Sequence, residues 1–149
     1  MSRPARWLVA TGLDESPQMG RLARRRLRRA RLPVRVTRGL AQNLPFPAAT
    51  FDSLVAAFPS EYIIDERTLA DAHRVLKSNG RLIVLPAGWP KNHLLEWLYR
   101  FTGESPSETH EIVKQKWVQP FIRQGFETRA EILEVKSGTL LIIVAKKIR

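Results

Sequence analysis

The stretch "WLVATGLDESPQM", residues 7–19, decides the fold. Its apolar first half, Trp7–Leu13, predicts a short β-strand, and Asp14 stands directly at the end of that strand. Ser16 then offers a hydroxyl that can cap a helix, and Pro17 suits the first helical position. A strand that leads through an acidic residue into a helix is typical of α/β proteins, whose ligands bind beyond the carboxyl ends of the strands.

The composition predicts one cytoplasmic domain. The chain has 149 residues, the size of a single domain, and 44% of them are hydrophobic, which is enough for a core. No apolar run approaches the ~20 residues that span a bilayer, and the basic start has too short an apolar run for a signal peptide. The lack of cysteine excludes disulfides and thiolate zinc sites. His73, His93 and His110 lack metal-ligand spacing, so no metal is expected.

The rest of the chain alternates strands and helices. Helices are predicted from Pro17 to about Arg31, from Glu66 to Leu76, from Asn92 to Phe101 and after Ser107, where Pro120 bends or ends the last one. Strands are predicted at Val34–Thr37, Phe51–Phe58, residues 81–86, Phe126–Val135 and Thr139–Lys147, the last two forming a hairpin. Phe51–Phe58 is almost continuously apolar, as is typical of a strand buried on both faces. "KSNG", residues 77–80, predicts a turn in which Asn79 or Gly80 takes a positive φ.

The first predicted helix carries a concentrated positive charge. Nine arginines and no acidic residue lie between Arg21 and Arg38, and the net charge of the chain is +11. At 100° per residue, the apolar residues of this helix fall on one face and six arginines on the other. The pattern fits an amphipathic helix with a solvated arginine face, or a surface that binds nucleic acid or anionic lipid. The helix has no aromatic residue on which bases can stack, so nucleic acid is not the favoured partner.

Three blocks of sequence resemble one known family. "TGLDESPQMGRLARRRL", "VTRGLAQNLPFPAATFDSLVAAF" and "DAHRVLKSNGRLIVL" occur in this order and together resemble class I S-adenosylmethionine-dependent methyltransferases of the type 11 group. The resemblance covers roughly residues 8–88. It implies one partial methyltransferase-like domain over residues 1–149, with a mostly parallel Rossmann-like sheet and an antiparallel C-terminal hairpin. It also implies S-adenosylmethionine as cofactor and a small-molecule or lipid-like methyl acceptor.

The resemblance implies a set of site residues. Those expected to bind the cofactor are Asp14, Glu15, Leu40, Ala41 and Phe58, and those expected to bind the acceptor are Glu61 and Tyr62. Asp14 matches the acid that accepts the ribose hydroxyls, and the alternative role for it is to favour the helix dipole. Leu40 replaces an aspartate that binds the adenine amino group in the family, while Ala41 still offers a backbone N–H. No residue is identified as a catalytic base.

The chain departs from the family pattern at its start. The glycine loop of the family lies between its first strand and first helix, and no such segment precedes Asp14 in this sequence. Three arrangements follow: the Asp14 strand pairs directly with the Phe51 strand, a second copy or a partner chain fills the gap, or the chain is part of a longer product. A non-catalytic methyltransferase-like protein is therefore the alternative to an enzyme, and a basic nucleic-acid-binding module is the third hypothesis.

Overall fold

A computed structural model describes residues 9–57, 59, 61–90, 117–136 and 138–148. The chain forms two compact units, Met1–Leu40 and Ala41–Arg149. In the described residues, no helix has both the length and the apolar character needed to cross a membrane.

The first unit has the predicted strand–helix–strand order. Strand β1 (Gly12–Asp14), helix α1 (Pro17–Arg29) and strand β2 (Val36–Arg38) follow one another, and β1 pairs with β2 in parallel. Both strands are shorter than predicted: residues 9–11 lie outside β1, and Trp7 and Leu8 lie outside the described residues.

Helix α1 ends two residues earlier than predicted because the chain reverses there. Arg31 adopts a left-handed conformation with φ 54°. The backbone N–H of Leu32 donates to the carbonyl of Leu27 at 2.9 Å, and that of Arg31 donates to Arg28 at 3.1 Å. These two bonds form a Schellman motif, which satisfies carbonyls at the helix end.

The second unit contains a four-stranded sheet in the order β3-β4-β6-β5. Its elements are β3 (Phe51–Ala57), a 3-10 helix (Glu61–Ile64), α2 (Glu66–Val75), β4 (Leu76–Pro90), β5 (Phe126–Val135) and β6 (Gly138–Lys147). β3 and β4 are parallel, while β6 is antiparallel to both β4 and β5, which confirms the predicted C-terminal hairpin. Residues 117–123 are helical, so Pro120 does not end that helix. The helix predicted at Asn92–Phe101 lies outside the described residues.

The predicted "KSNG" turn is a bulge within β4. Phe51 pairs with Leu76, whereas Ser53, only two residues further along β3, pairs with Arg81. The four residues between Leu76 and Arg81 therefore leave the ladder. Asn79 has a φ of 63°, which confirms the predicted left-handed conformation at this position.

The core of the second unit lies on one face of the sheet. Buried side chains of α2 pack against buried residues of β4 and β6, together with Phe121 and Phe126; they include Leu69, Ala72, Leu76, Leu82, Val84, Ile143 and Ala145. Burying each large side chain contributes roughly 1.5–3 kcal/mol. The prediction that Phe51–Phe58 is buried on both faces is wrong, because Val55 is 67% exposed. β3 is an edge strand of this sheet, and only alternate residues, such as Leu54, pack against the core.

Candidate cofactor site

Asp14 shapes the turn from β1 into α1. Its Oδ1 accepts a hydrogen bond from the backbone N–H of Ser16 at 2.8 Å. The Ser16 hydroxyl oxygen in turn accepts from the N–H of Met19 at 3.3 Å, as a helix N-cap does. Ser16 engages only one of the two oxygens of Asp14, and a carboxylate has about four acceptor sites. The exposed side chain of Asp14 can therefore hold the turn and still accept further hydroxyl groups.

The carboxyl ends of β1 and β2 meet at one edge of the first unit. Asp14 lies opposite Arg38 in the parallel register. The N–H of Gly39 donates to the carbonyl of Asp14 at 3.3 Å, and Arg38 Nε donates to the carbonyl of Glu15 at 3.0 Å. These bonds bring Asp14 and Glu15 together with the segment that leads to Leu40. The predicted residues Asp14, Glu15 and Leu40 thus stand at the edge where ligands of open α/β sheets bind.

The loop after Leu40 is held by a pair of charged residues in α2. Arg74 donates from Nη1 to the carbonyl of Phe46 at 2.8 Å and from Nη2 to the carbonyl of Leu44 at 3.0 Å. Asp71 Oδ2 accepts from the N–H of Leu44. Arg74 Nε also donates to Asp71 Oδ1 at 2.6 Å, which completes the connection between the helix and the loop. Ala41, three residues before Leu44, is therefore attached to a fixed segment.

Asp71 and Arg74 were not predicted as site residues. Their spacing of three places both side chains on the same side of α2, and this is the signal that the sequence offers. The hydrogen bond from Arg74 holds the pKa of Asp71 below its ordinary value, although burial acts in the opposite direction. The same hydrogen bond raises the pKa of Arg74. Both groups therefore stay charged at neutral pH and keep the loop in place.

The predicted acceptor residues follow the carboxyl end of β3. Glu61 and Tyr62 belong to the 3-10 helix that begins four residues after Ala57. Ile63 is buried in the core and anchors this helix, while Tyr62 is exposed. This position beyond the end of a parallel strand agrees with a site in an open α/β sheet. Phe58, the remaining predicted residue, lies outside the described residues, and the binding roles of all seven residues stay predictions.

The chain belongs to the methyltransferase domain family, whose model matches residues 2–84. It is 35% identical to a demethylmenaquinone methyltransferase of Thermotoga maritima over 123 residues, which are 82% of this chain and 47% of the relative. The chain thus spans about half the length of that relative. The family resemblance drawn from the three sequence blocks is confirmed.

The predicted fold class is confirmed by solved structures. A S-adenosylmethionine-dependent methyltransferase of Methanosarcina mazei superimposes with a TM-score of 0.60 at 21% identity, over 93% of this chain and 81% of the other. The YcgJ protein of Bacillus subtilis superimposes with a TM-score of 0.63 at 14% identity, over 93% and 82% of the two chains. At these identities the likeness establishes the Rossmann-like methyltransferase fold.

Proposed function

We propose that this chain carries out S-adenosylmethionine-dependent methyl transfer to a quinone-like small molecule. The observation that carries the proposal is the similarity to the demethylmenaquinone methyltransferase, which extends over 82% of the chain. The match to the family model, over residues 2–84, includes the segment with Asp14. The name of that relative supplies the class of acceptor, a fused aromatic ring with oxygen substituents. A quinone-like acceptor is a more specific case of the small-molecule or lipid-like acceptor expected from the sequence.

The residues at the ends of β1 and β2 fit the cofactor. Asp14 has an exposed carboxylate with acceptor capacity beyond its bond to Ser16, as a pair of ribose hydroxyls requires. Leu40 is exposed near the same edge and offers an apolar surface for an adenine ring. Ala41, the next residue in the sequence, keeps the backbone N–H that the family resemblance implies for the adenine edge. The cofactor, when bound, supplies the activated methyl group.

Methyl transfer from S-adenosylmethionine requires alignment of the reacting atoms more than acid–base catalysis. The nucleophilic atom, the methyl carbon and the sulfur must lie in a line, and holding them so is worth up to ~7–11 kcal/mol. A base is needed where the acceptor loses a proton. Glu61 and Tyr62, which follow the carboxyl end of β3 in the chain, are the residues proposed to bind the acceptor.

Calorimetry tests the cofactor part of this proposal. The folded chain is titrated with S-adenosylmethionine and, separately, with S-adenosylhomocysteine, and saturable heat is expected for both. A folded sample that gives no heat at millimolar ligand would remove the enzyme interpretation for this chain and leave the non-catalytic alternative. Transfer of labelled methyl to a demethylated naphthoquinol then tests the acceptor class. Binding of the cofactor with no transfer to this quinol would overturn the acceptor and leave the cofactor site standing.

A further inference from the structure

The first unit carries most of the positive charge of the chain. Met1–Leu40 contains eleven arginines and two acidic residues, so it holds nine of the eleven net positive charges. Six of these arginines lie within the ten residues from Arg21 to Ala30, which caps the C-terminus of α1. A local field of this density attracts an anionic surface.

Some of these arginines donate hydrogen bonds within the first unit, and others are exposed to solvent. Arg24 donates to the carbonyl of Val36 at 3.1 Å, and Arg38 donates to the carbonyl of Glu15. Arg25, Arg28 and Arg29 are exposed, and within the described part of the chain no carboxylate pairs with them. Their guanidinium groups are therefore available for an external anion, and they bind phosphate oxygens in a bidentate manner.

The exposed side of α1 also presents apolar side chains. Met19 is 51% exposed and Leu22 is 39% exposed, although both are large and hydrophobic. Their spacing of three places them side by side, and Arg25 and Arg26, three and four residues after Leu22, are the next side chains toward the C-terminus of the helix. We call the exposed residues Met19, Leu22, Arg25, Arg26, Arg28 and Arg29 the α1 surface.

Exposed apolar side chains next to arginines favour one of two anionic partners, a lipid bilayer, over the other, a nucleic acid. A lipid bilayer offers phosphates together with an apolar layer just beneath them, and interfacial helices use both. A nucleic acid offers phosphates and stacked bases, and α1 has no aromatic side chain with which to use the bases. Exposed Met19 and Leu22 gain nothing from a phosphate backbone. The combination on the α1 surface fits the bilayer.

We propose that α1 binds the surface of an anionic lipid bilayer. Met19 and Leu22 enter the boundary between headgroups and acyl chains, and Arg25, Arg28 and Arg29 bind lipid phosphates while their aliphatic stems cover apolar surface. The helix is capped by Ser16 at its start and by the Schellman motif at its end, so little ordering accompanies binding. This inference goes beyond the proposed function and does not depend on it.

Vesicle co-sedimentation of the full chain tests the inference. The vesicles contain equal parts of phosphatidylglycerol and phosphatidylcholine, and vesicles of phosphatidylcholine alone serve as reference. We expect binding to the first kind only, weakening with salt because charges are screened. The triple variant Arg25→Gln/Arg28→Gln/Arg29→Gln should bind about 100-fold more weakly, at roughly 1 kcal/mol for each arginine near an anionic surface.

Two further variants make the test specific. The triple variant Arg67→Gln/Arg81→Gln/Lys136→Gln removes the same number of exposed charges outside α1 and should retain binding. The double variant Met19→Gln/Leu22→Gln keeps every arginine and should lose binding at least tenfold, because the apolar insertion is removed. Circular dichroism shows whether each variant keeps its helices.

Three results would contradict the binding of α1 to an anionic bilayer. Equal loss in the two charge variants would mean that net charge, and not α1, attracts the vesicles. Unchanged binding of the Met19/Leu22 variant, in a folded sample, would mean that no apolar contact is made. Tight binding to duplex DNA with no binding to the mixed vesicles would replace the lipid surface by a nucleic acid.

Discussion

Arg74 donates two hydrogen bonds to the carboxylate of Asp71, at 2.6 and 3.0 Å, and two more to the carbonyls of Leu44 and Phe46. One side chain thereby joins α2 to a loop that lies 28 to 30 residues earlier in the sequence. The side chain of Asp71 is only 16% exposed, so its charge depends on this partner. Charge-assisted bonds in such an environment are stronger than those between neutral groups.

We expect Asp71→Asn to lower the free energy of unfolding by about 1–3 kcal/mol, because Arg74 and Leu44 lose a charged acceptor. The matched control is Asp52→Asn. Asp52 also pairs with a cation, Lys77 at 3.1 Å, but its side chain is 85% exposed. Exposed pairs contribute about 0–1 kcal/mol, so the control should change little. Urea denaturation measures both variants, and equal effects would contradict the importance assigned to the α2–loop connection.

His73 gives the stability a pH dependence. Burial lowers the pKa of His73 from its ordinary value of 6.5, and the positive charge of Lys147 lowers it further. The imidazole packs edge-on against Phe126, with ring centres 5.1 Å apart. The unfolded chain therefore binds the proton more readily than the folded chain. The stabilising contribution of neutral His73 is complete above pH 6.5 and is lost as the pH falls from there through the lower pKa of the folded state.

The free energy of unfolding should therefore fall as the pH is lowered from neutral to below 6.5. His73→Gln should remove this part of the pH dependence, because glutamine does not titrate. Asp71 affects the stability in a more acidic pH range. Because its pKa is lowered in the folded chain, its contribution to the free energy of unfolding is lost only below pH 3.8. Urea denaturation across this range distinguishes the two. If the free energy of unfolding of His73→Gln depends on pH as strongly as that of the unchanged chain, this pH dependence belongs to another group.

Gly80 and Gly20 should respond in opposite directions to alanine. A methyl group at Gly80 would lie 2.8 Å from the carbonyl oxygen of Lys77 and 3.0 Å from a Leu76 methyl, so the bulge in β4 must shift. We expect Gly80→Ala to cost about 1–3 kcal/mol. At Gly20, within α1, nothing lies within 4 Å of an added methyl group. Gly20→Ala should raise the stability of the helix by about 0.5–1 kcal/mol, and thermal unfolding followed by circular dichroism tests both.

Features fixed by neighbouring residues could be predicted from the sequence. Ser16 and Pro17 mark the start of α1, the left-handed Asn79 stands in "KSNG", and the last two strands form the predicted C-terminal hairpin. Each depends on the backbone preferences of a few adjacent residues, and these preferences can be read from the local sequence. The predicted cytoplasmic location rests on composition in the same way and stays a prediction.

Features fixed by distant residues could not be predicted in this way. The exposure of Val55 depends on the position of β3 at the edge of its sheet, and apolar sequence alone does not give strand order. The connection from Arg74 to Phe46 requires two segments 28 residues apart to meet. The position of Asp14 at the end of β1 was predicted, but its bond to Ser16 also serves the turn. A carboxylate can perform both tasks, and only a measurement of ligand binding separates them.

Asp14→Asn separates the two tasks of this side chain. Asparagine keeps an oxygen that can accept from the N–H of Ser16, so the turn into α1 should persist with little change in stability. The negative charge that would accept ribose hydroxyls is lost. Hydrogen bonds to charged groups contribute about 1.5–3 kcal/mol, so the affinity for S-adenosylmethionine should fall roughly 10–100-fold.

The chain contains a closely matched control in Asp65. Its Oδ1 accepts from the N–H of Arg67 at 2.9 Å at the start of α2, just as Asp14 accepts from Ser16 at 2.8 Å. Asp65→Asn should therefore reproduce any effect on a helix start and leave the affinity for the cofactor unchanged. Calorimetry of the unchanged chain and both variants gives the comparison. If the chain binds the cofactor and Asp14→Asn binds it equally well, Asp14 is a helix-start residue alone and the ribose must be held elsewhere.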